Sequence, residues 1–461
     1  MHRSRLAVAM TALLLGSGLL APTIAQTPSV TAPAVATAPV KAAAAQGLAM
    51  AKSPEAVGFD SARLKKFDDY MQKVVADGRV AGMTTLLARH GKIVAFNTWG
   101  KASISANKAM EKDTIFRVYS MTKPITGTAM MILFEEGKWR LDDPVTRYVP
   151  EFKNLKVVKS VNADGTMVLE DMKRPPTMRE IMSHTAGFGY GLADQHPVDK
   201  LYRTKGVLSA SSLKEMIDRT ATIPLMFQPG TDWSYSSAVD IQGYIVEKLT
   251  GQKFGDFMQQ RIFKPLKMND TAFSTGAAKA GRLAAVYVGD QATGKISEAK
   301  ELFGNPMPDY TKPPAMESGG GGLVSTTMDY ARFSQMILNK GELDGVRILS
   351  PQSVELMGTN VIPKDVLVKS NGTSVARFNE AVGFGLDFQV VNDARAAGTN
   401  QGNGTISWGG AAGTWFWIDP QNDVVAVGMI HILGKEADPA LARIDQDAAT
   451  LVYQALIDPT Q

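Results

Sequence analysis

The chain has 461 residues, 44% of them hydrophobic and 20% charged, and a formal net charge of +4. That is ordinary globular composition, enough for one large two-lobed domain or a few smaller ones, and the slight basic excess without a run of five like charges gives no support to nucleic-acid binding. The absence of cysteine excludes disulfides, thiolate metal sites and a cysteine nucleophile.

The N-terminus reads as an export signal over residues 1–25. His2, Arg3 and Arg5 precede an apolar run from Leu6 to about Leu20, and Thr23-Ile24-Ala25 offers a peptidase cleavage site. The alternative, an uncleaved anchor, is disfavoured because the run is short for a span and is broken by Gly16 and Gly18. No later stretch is long and apolar enough to cross a bilayer, so the expected location is periplasmic or secreted. Residues 26–52, rich in Ala, Pro, Thr and Val and without periodicity, read as a linker, with folded sequence expected from Ser53.

Leu64, Phe67, Met71 and Val74 recur at helical spacing behind Asp60-Ser61 and predict an amphipathic helix to about Ala76. Met83–Ala88 and Ile93–Trp99 are β-rich and joined by Arg89-His90-Gly91-Lys92, the pattern of a hairpin. Thr114–Tyr119 is short and β-prone, whereas Ile125–Glu136 is strongly helical and ends at Gly137, with Pro124 where a first turn tolerates it. Residues 141–310 read as short helices and long loops, including Ser211–Arg219, Ala238–Thr250 and Phe254–Ile262. Strands return at Gly383–Val391, Gly404–Ala411, Thr414–Asp419 and Asp423–Ile432, before a final helix over about Ala440–Ile457. Strands at both ends of a helical middle predict an α/β (α+β) fold within 53–461. Its α/β lobe covers about 53–140 and 311–461, and a mostly helical lobe of about 141–310 is inserted into it.

Ser120 and Lys123 carry the clearest chemical signal. A serine followed three positions later by lysine, at a helix start, brings an amine within reach of a hydroxyl, and the uncharged amine can take the hydroxyl's proton. Spacing alone does not single them out, because Ser105/Lys108, Ser211/Lys214 and Ser297/Lys300 repeat it. Context does: Ser120 lies at a loop-to-helix junction, where unpaired N–H groups and the helix dipole favour negative charge. The other pairs fall in a polar loop, a surface helix and a Gly/Lys/Glu-rich connection.

Other candidates carry less. The five histidines are scattered with no H-E-x-x-H pair, and Gly319–Gly322 lack the Lys-Ser/Thr of a phosphate loop, so neither a metal nor a cofactor is expected. Those glycines read as a tight loop bordering the cleft. His184 reads as structural. Ala272-Phe273-Ser274-Thr275-Gly276 lacks the first glycine of a nucleophile elbow, and Trp415 and Trp417 alternate as core or cleft wall.

The stretch from Phe116 to Phe152, with Leu141-Asp142-Asp143-Pro144 and Tyr148-Val149-Pro150-Glu151-Phe152, resembles the serine β-lactamase and penicillin-binding-protein superfamily. Ile181-Met182-Ser183-His184-Thr185-Ala186-Gly187, Pro265-Leu266-Lys267-Met268-Asn269-Asp270-Thr271 and Gly319-Gly320-Gly321-Gly322-Leu323 follow in the superfamily's order, so the resemblance spans nearly all of the chain from Ser53. Within it the pattern is most similar to family VIII carboxylesterases, and more distantly to class C β-lactamases. The resemblance implies an antiparallel sheet flanked by helices, with the active site between the lobes.

It also implies a third catalytic residue, Tyr235, from the place of a Tyr-x-Asn motif; taken alone, Tyr235 reads as a buried aromatic. Ser237 stands where that motif has Asn, and is expected to face substrate with a shorter reach. Trp408-Gly409-Gly410 stands where β-lactamases carry Lys-Thr-Gly, and locally also reads as a core tryptophan with strand glycines. Tryptophan in place of that lysine removes a charge-assisted contact to an anionic substrate, which a neutral ester does not need. The N–H groups of Ser120 and Ala411 are the implied oxyanion hole. The expectation is a hydrolase of small-molecule esters with short to medium acyl chains, using a Ser120 acyl-enzyme and Lys123/Tyr235 as acid and base. The alternatives are a β-lactamase or D-Ala-D-Ala peptidase, an acyl transferase, and a non-catalytic binding protein; the oligomeric state is open.

Overall fold

The computed structural model describes residues 48–192, 196–290, 294–302, 305–369 and 378–459. The expected export signal, and the linker as far as residue 47, lie outside the described residues. The linker's far end is corrected. Ala49–Met50 forms a strand, β1, pairing in parallel with Lys92 and Ile93, so ordered chain begins before Ser53. A two-residue strand in an Ala-rich run leaves no alternation to read.

The hairpin forms as expected. β2 (Gly82–Arg89) and β3 (Lys92–Ser103) are joined by His90 and Gly91 at φ 53° and 66°, the two positive angles that a tight two-residue turn demands. Lys108–Ala109 (β4) pairs onto β3. The remaining strands of the sheet come from the C-terminal part: β5 (Val382–Phe384), β6 (Gln389–Val391), β7 (Ile406–Gly409), β8 (Trp415–Asp419) and β9 (Val424–Met429). The order is β1-β3-β2-β9-β8-β7-β6-β5, antiparallel except for β1. The two ends of the chain thus meet at the β2–β9 pair in the middle of the sheet.

The stretch read as one strand, Gly383–Val391, is two. Gly385 N–H donates to Phe388 O at 2.8 Å across a turn in which Asp387 takes φ 64°, and the Asp387 carboxyl is drawn into the interior. The final helix is also shorter than expected, α5 (Ile444–Tyr453), because Asp438 first organises a turn through Leu441 and Ala442.

Alternation along the central strands sorts the two faces. On one face Trp415, Trp417, Val424 and Ala426 pack with Leu64, Phe67 and Met71 of α1 (Ser61–Ala76), and with Ile444, Ala448 and Val452 of α5. On the other, Phe416, Ile418, Val425 and Val427 pack with Tyr330, Phe333 and Met336 of α4 (Thr327–Leu338). Trp415 and Trp417 are therefore core. A Cβ at Gly428, opposite Trp415, would fall 2.1 Å from its indole, so this glycine makes room for the ring.

The Phe416 face continues without a break into the helical elements, whose centre is α2 (Thr122–Glu135). Every residue from Thr122 to Leu133 is buried, the polar Thr122, Lys123, Thr126 and Thr128 included, so the helix is enclosed on all sides. α2 lies against α3 (Ala238–Thr250), whose bounds match the expected ones. The glycine run threads between the two. A Cβ at Gly319 would sit 2.5 Å from Val239 O and 3.3 Å from Thr126 Cγ2, so the run owes its glycines to close approach.

Candidate active site

Ser120 sits in a single turn, Tyr119–Met121, between the short strand Phe116–Arg117 and the first turn of α2. The turn is held from several sides. Phe116–Arg117 pairs antiparallel with Val324–Ser325, Val118 N–H donates to Leu323 O at 3.0 Å, and Tyr330 Oη donates to Met121 O at 2.9 Å. Tyr119 takes φ 42°, a conformation a bulky residue adopts only when its surroundings impose it. Ser120 is left half-buried and accessible at the N-terminus of α2.

Lys123, one turn further, is fully buried. Its Nζ lies 3.3 Å from Ser120 Oγ, 3.2 Å from Tyr190 Oη and 2.6 Å from Gly320 O. It also stands 4.4 Å from the Tyr235 ring centroid and 4.9 Å from that of Tyr190. The pair Ser120/Lys123 is thus brought together, whereas the three other pairs lie on the surface. Lys214, for example, pairs with Asp218 at 2.5 Å, and Ser211 Oγ donates to Glu215 at 2.6 Å.

Tyr235 reaches the same place, meeting Lys123 through its ring face. Its oxygen lies 3.3 Å from Trp408 Nε1. An indole N–H can only donate, so Tyr235 accepts there and keeps its own hydrogen free. Tyr235 and Trp408 belong to an aromatic wall with Trp233, His184 and Phe384, at centroid separations of 4.9–6.2 Å. His184 is buried within it. Its Nδ1 accepts from Ser236 N–H at 3.2 Å, and burial, followed by the charge of Lys123, holds its pKa well below the usual imidazole value.

Ser237 is fully buried at the N-cap of α3, its N–H donating to Gly189 O at 3.0 Å and its Oγ without a hydrogen-bond partner.

The end of β7 approaches the nucleophile turn. A Cβ at Gly410 would lie 2.6 Å from Val118 O and 2.2 Å from Thr414 Oγ1, so only glycine lets the two backbones meet here. Gly410 N–H donates to Thr414 O at 2.8 Å, Gly409 is exposed, and Ala411 follows half-buried beside Ala412 and Tyr119.

Sequence reasoning missed Tyr190, Asp240 and Asp387. Tyr190 is buried, and burial, with the nearby Asp240 carboxyl adding to it, keeps its pKa well above that of a free phenol. Asp240 is buried in the first turn of α3, where it accepts from Ser318 Oγ at 2.5 Å and Gly320 N–H at 3.1 Å. Asp387 accepts from Gln242 Nε2 at 3.1 Å, and its other oxygen lies 2.7 Å from where a Cβ on Gly127 of α2 would stand. Burial raises the pKa of both acids. The readable signal was an acid, with Gln242 two places on, inside a largely apolar helical run, Ala238–Val246. Among the described residues no cluster of His, Asp and Glu suits a metal ion, and no helix is long and apolar enough to cross a membrane.

Known proteins resemble the chain over most of its length. The Beta-lactamase family profile matches residues 67–450. The chain is 34% identical over 378 residues to Protein Rv1367c of Mycobacterium tuberculosis, covering 81% of this chain and 91% of that protein. It is 31% identical to Esterase EstB of Burkholderia gladioli, covering 79% and 90%. Among solved structures, EstCE1, described as a hydrolase with promiscuous acyltransferase activity, superposes with a TM-score of 0.69 at 26% identity, covering 85% of this chain and 99% of that one. With a family match across most of its length and a helix-flanked antiparallel sheet, the chain belongs to the β-lactamase family of serine hydrolases, near the family VIII esterases.

Proposed function

We propose that the protein is a carboxylesterase that cleaves neutral esters of short to medium acyl chains through an acyl-enzyme on Ser120. The observation that carries this is the pairing of Ser120 Oγ with the buried Lys123 amine at 3.3 Å, in a cleft whose strand-edge wall is the uncharged Trp408.

Neutral Lys123 takes the Ser120 hydroxyl proton as Oγ bonds to the ester carbonyl carbon, and the carbonyl becomes an oxyanion. The N–H groups of Ser120 and Ala411 stabilise that charge, helped by the positive end of α2. Collapse breaks the bond to the leaving oxygen, which takes the free hydrogen of Tyr235; the proton on Lys123 then restores Tyr235. Water repeats the sequence on the acyl-enzyme and releases the acid. An alcohol in place of water gives acyl transfer, a second reading supported by the likeness to EstCE1. Exposed Gly409 and half-buried Trp408 bound the entrance, and neither supplies the cation that an anionic β-lactam would use. In the same reading residues 1–25 are a cleaved export signal; a mature protein starting at Met1 in the exported fraction would sink that part.

Hydrolysis of p-nitrophenyl butyrate and of a chromogenic cephalosporin by wild type and Ser120→Ala tests the reading. The expected result is ester turnover that vanishes in Ser120→Ala, with cephalosporin turnover minor. Dominant cephalosporin hydrolysis, or ester turnover surviving in the variant, contradicts it.

A further inference from the structure

The orientation of the Lys123 amine depends on a peptide group that has no side chain to hold it. An ammonium has three donors and no acceptor, whereas a neutral amine has two donors and one lone pair. Gly320 O can only accept, and at 2.6 Å it takes one N–H. The Tyr190 oxygen, at 3.2 Å, is placed to take the second. The lone pair is then left facing Ser120 Oγ, the arrangement that a base requires.

This geometry lasts only while the Gly320 peptide keeps its direction, yet Gly320 is the second of four consecutive glycines, the residue type with the most backbone freedom to lose. The anchor is Asp240. Its Oδ1 accepts from Gly320 N–H at 3.1 Å and from Ser318 Oγ at 2.5 Å, so one carboxylate oxygen pins both sides of Gly319. Gly319 O is tied in turn by Thr126 Oγ1 of α2 at 2.8 Å. Asp240 is itself fully buried between apolar neighbours on α3, and its Oδ2 has no hydrogen-bond partner. A Cβ at Gly320 would lie 2.5 Å from that Oδ2 and 3.0 Å from Tyr190 Oη, which shows how tightly carboxylate, peptide and phenol are packed. Burying an acid with one oxygen unsatisfied costs stability, which the two hydrogen bonds to its other oxygen offset.

We infer that Asp240 is a positioning residue: it fixes the Gly320 peptide, whose carbonyl holds the Lys123 amine with its lone pair on Ser120. The inference rests on the ester-hydrolase reading of Ser120 and Lys123. The titratable groups facing Lys123 are Tyr190 and Tyr235, and the charge of Lys123 is felt by His184, Asp240 and Asp387. Asp240 itself also faces Tyr190.

The test compares Asp240→Ala, which deletes the anchor, with Asp240→Asn, which keeps an acceptor oxygen and removes the charge, on p-nitrophenyl butyrate beside wild type and Ser120→Ala. A misaligned base predicts a fall in kcat of about 100-fold for Asp240→Ala with KM within about threefold of wild type. Asp240→Asn is expected to stay within about tenfold of wild-type kcat. A folded Asp240→Ala, judged by circular dichroism, that stays within about tenfold of wild type overturns the inference, as does Asp240→Asn losing more than that. If Asp240→Ala does not fold, Asp240→Asn decides alone by the same limit. Turnover surviving in Ser120→Ala brings down the underlying reading instead, and is thereby told apart from failure at Asp240.

Discussion

On one side of the cleft Lys123, Tyr190, Asp240 and the Gly320 peptide are buried and joined by hydrogen bonds of 2.6–3.2 Å. On the other, Trp408 is half-buried and Gly409 exposed, and the polar link between Trp408 and Tyr235 is a single 3.3 Å hydrogen bond. The first wall is assembled from α2, α3 and the glycine loop, so that each polar group is fixed by others. The second is the end of β7, paired with β8 through Trp408 and Gly409, where Trp408 packs against the core on one side and is half-open on the other. In the proposed reading the first wall supplies the base, Tyr235 touches both walls, meeting Lys123 through its ring and Trp408 through its oxygen, and the strand edge beyond it bears on the choice of substrate. Substitutions on the lysine side are accordingly expected to lower kcat for every ester, and substitutions on the Trp408 side to alter which ester is used.

The largest effect expected is from Lys123→Met, which keeps the buried length and removes the amine; kcat/KM for p-nitrophenyl butyrate should fall about a thousandfold or more. Next, Tyr190→Phe removes one oxygen that accepts from Lys123 and should lower kcat about tenfold, with KM little changed. Trp408→Lys should separate the walls. It is expected to raise the rate ratio of a hemisuccinate ester to the neutral butyrate about tenfold, through the restored cation, while Ser120 acylation persists. A uniform loss on both esters would place Trp408 in the proton-transfer machinery and erase the distinction.

An effect on stability rather than on turnover lies beneath the nucleophile turn. His431 Nε2 is 2.9 Å from the N–H of Arg117, and burial, reinforced by the Arg117 charge, lowers its pKa from 6.5 to about 3. The unfolded chain therefore binds this proton where the native state does not, so stability rises with pH between about 3 and 6.5, by at most about 1.4 kcal/mol per unit for one group. Urea unfolding across that range should show the slope, reduced in a folded His431→Gln variant; an equal slope in both would assign it to other groups.

Local chemistry was readable in the sequence and distant convergence was not. The β2–β3 turn announces itself in His90-Gly91, and Ser120/Lys123 in a three-residue spacing at a helix start. The expected bounds of α3 were likewise carried by its own apolar period. Tyr190 and Gly320, by contrast, meet Lys123 across 67 and 197 residues of sequence, and no local pattern records such a meeting. Ser237, expected to face substrate from its place in the Tyr-x-Asn motif, is fully buried at the N-cap of α3, a degree of burial the motif does not record. Gly383–Val391 looked continuous because Gly385-Leu386-Asp387-Phe388 is largely apolar, although Asp387 leaves the strand to bury its carboxyl.

The central claim is that Ser120 is acylated during turnover. Intact-protein mass spectrometry after brief mixing with p-nitrophenyl butyrate and acid quenching, followed by peptide mapping, reads this directly. The account predicts one butyryl group per chain, on the peptide containing Ser120, absent from Ser120→Ala and lost again as water completes the turnover. Ester turnover with no adduct on that peptide in any quench, or an adduct on a different serine, would contradict it.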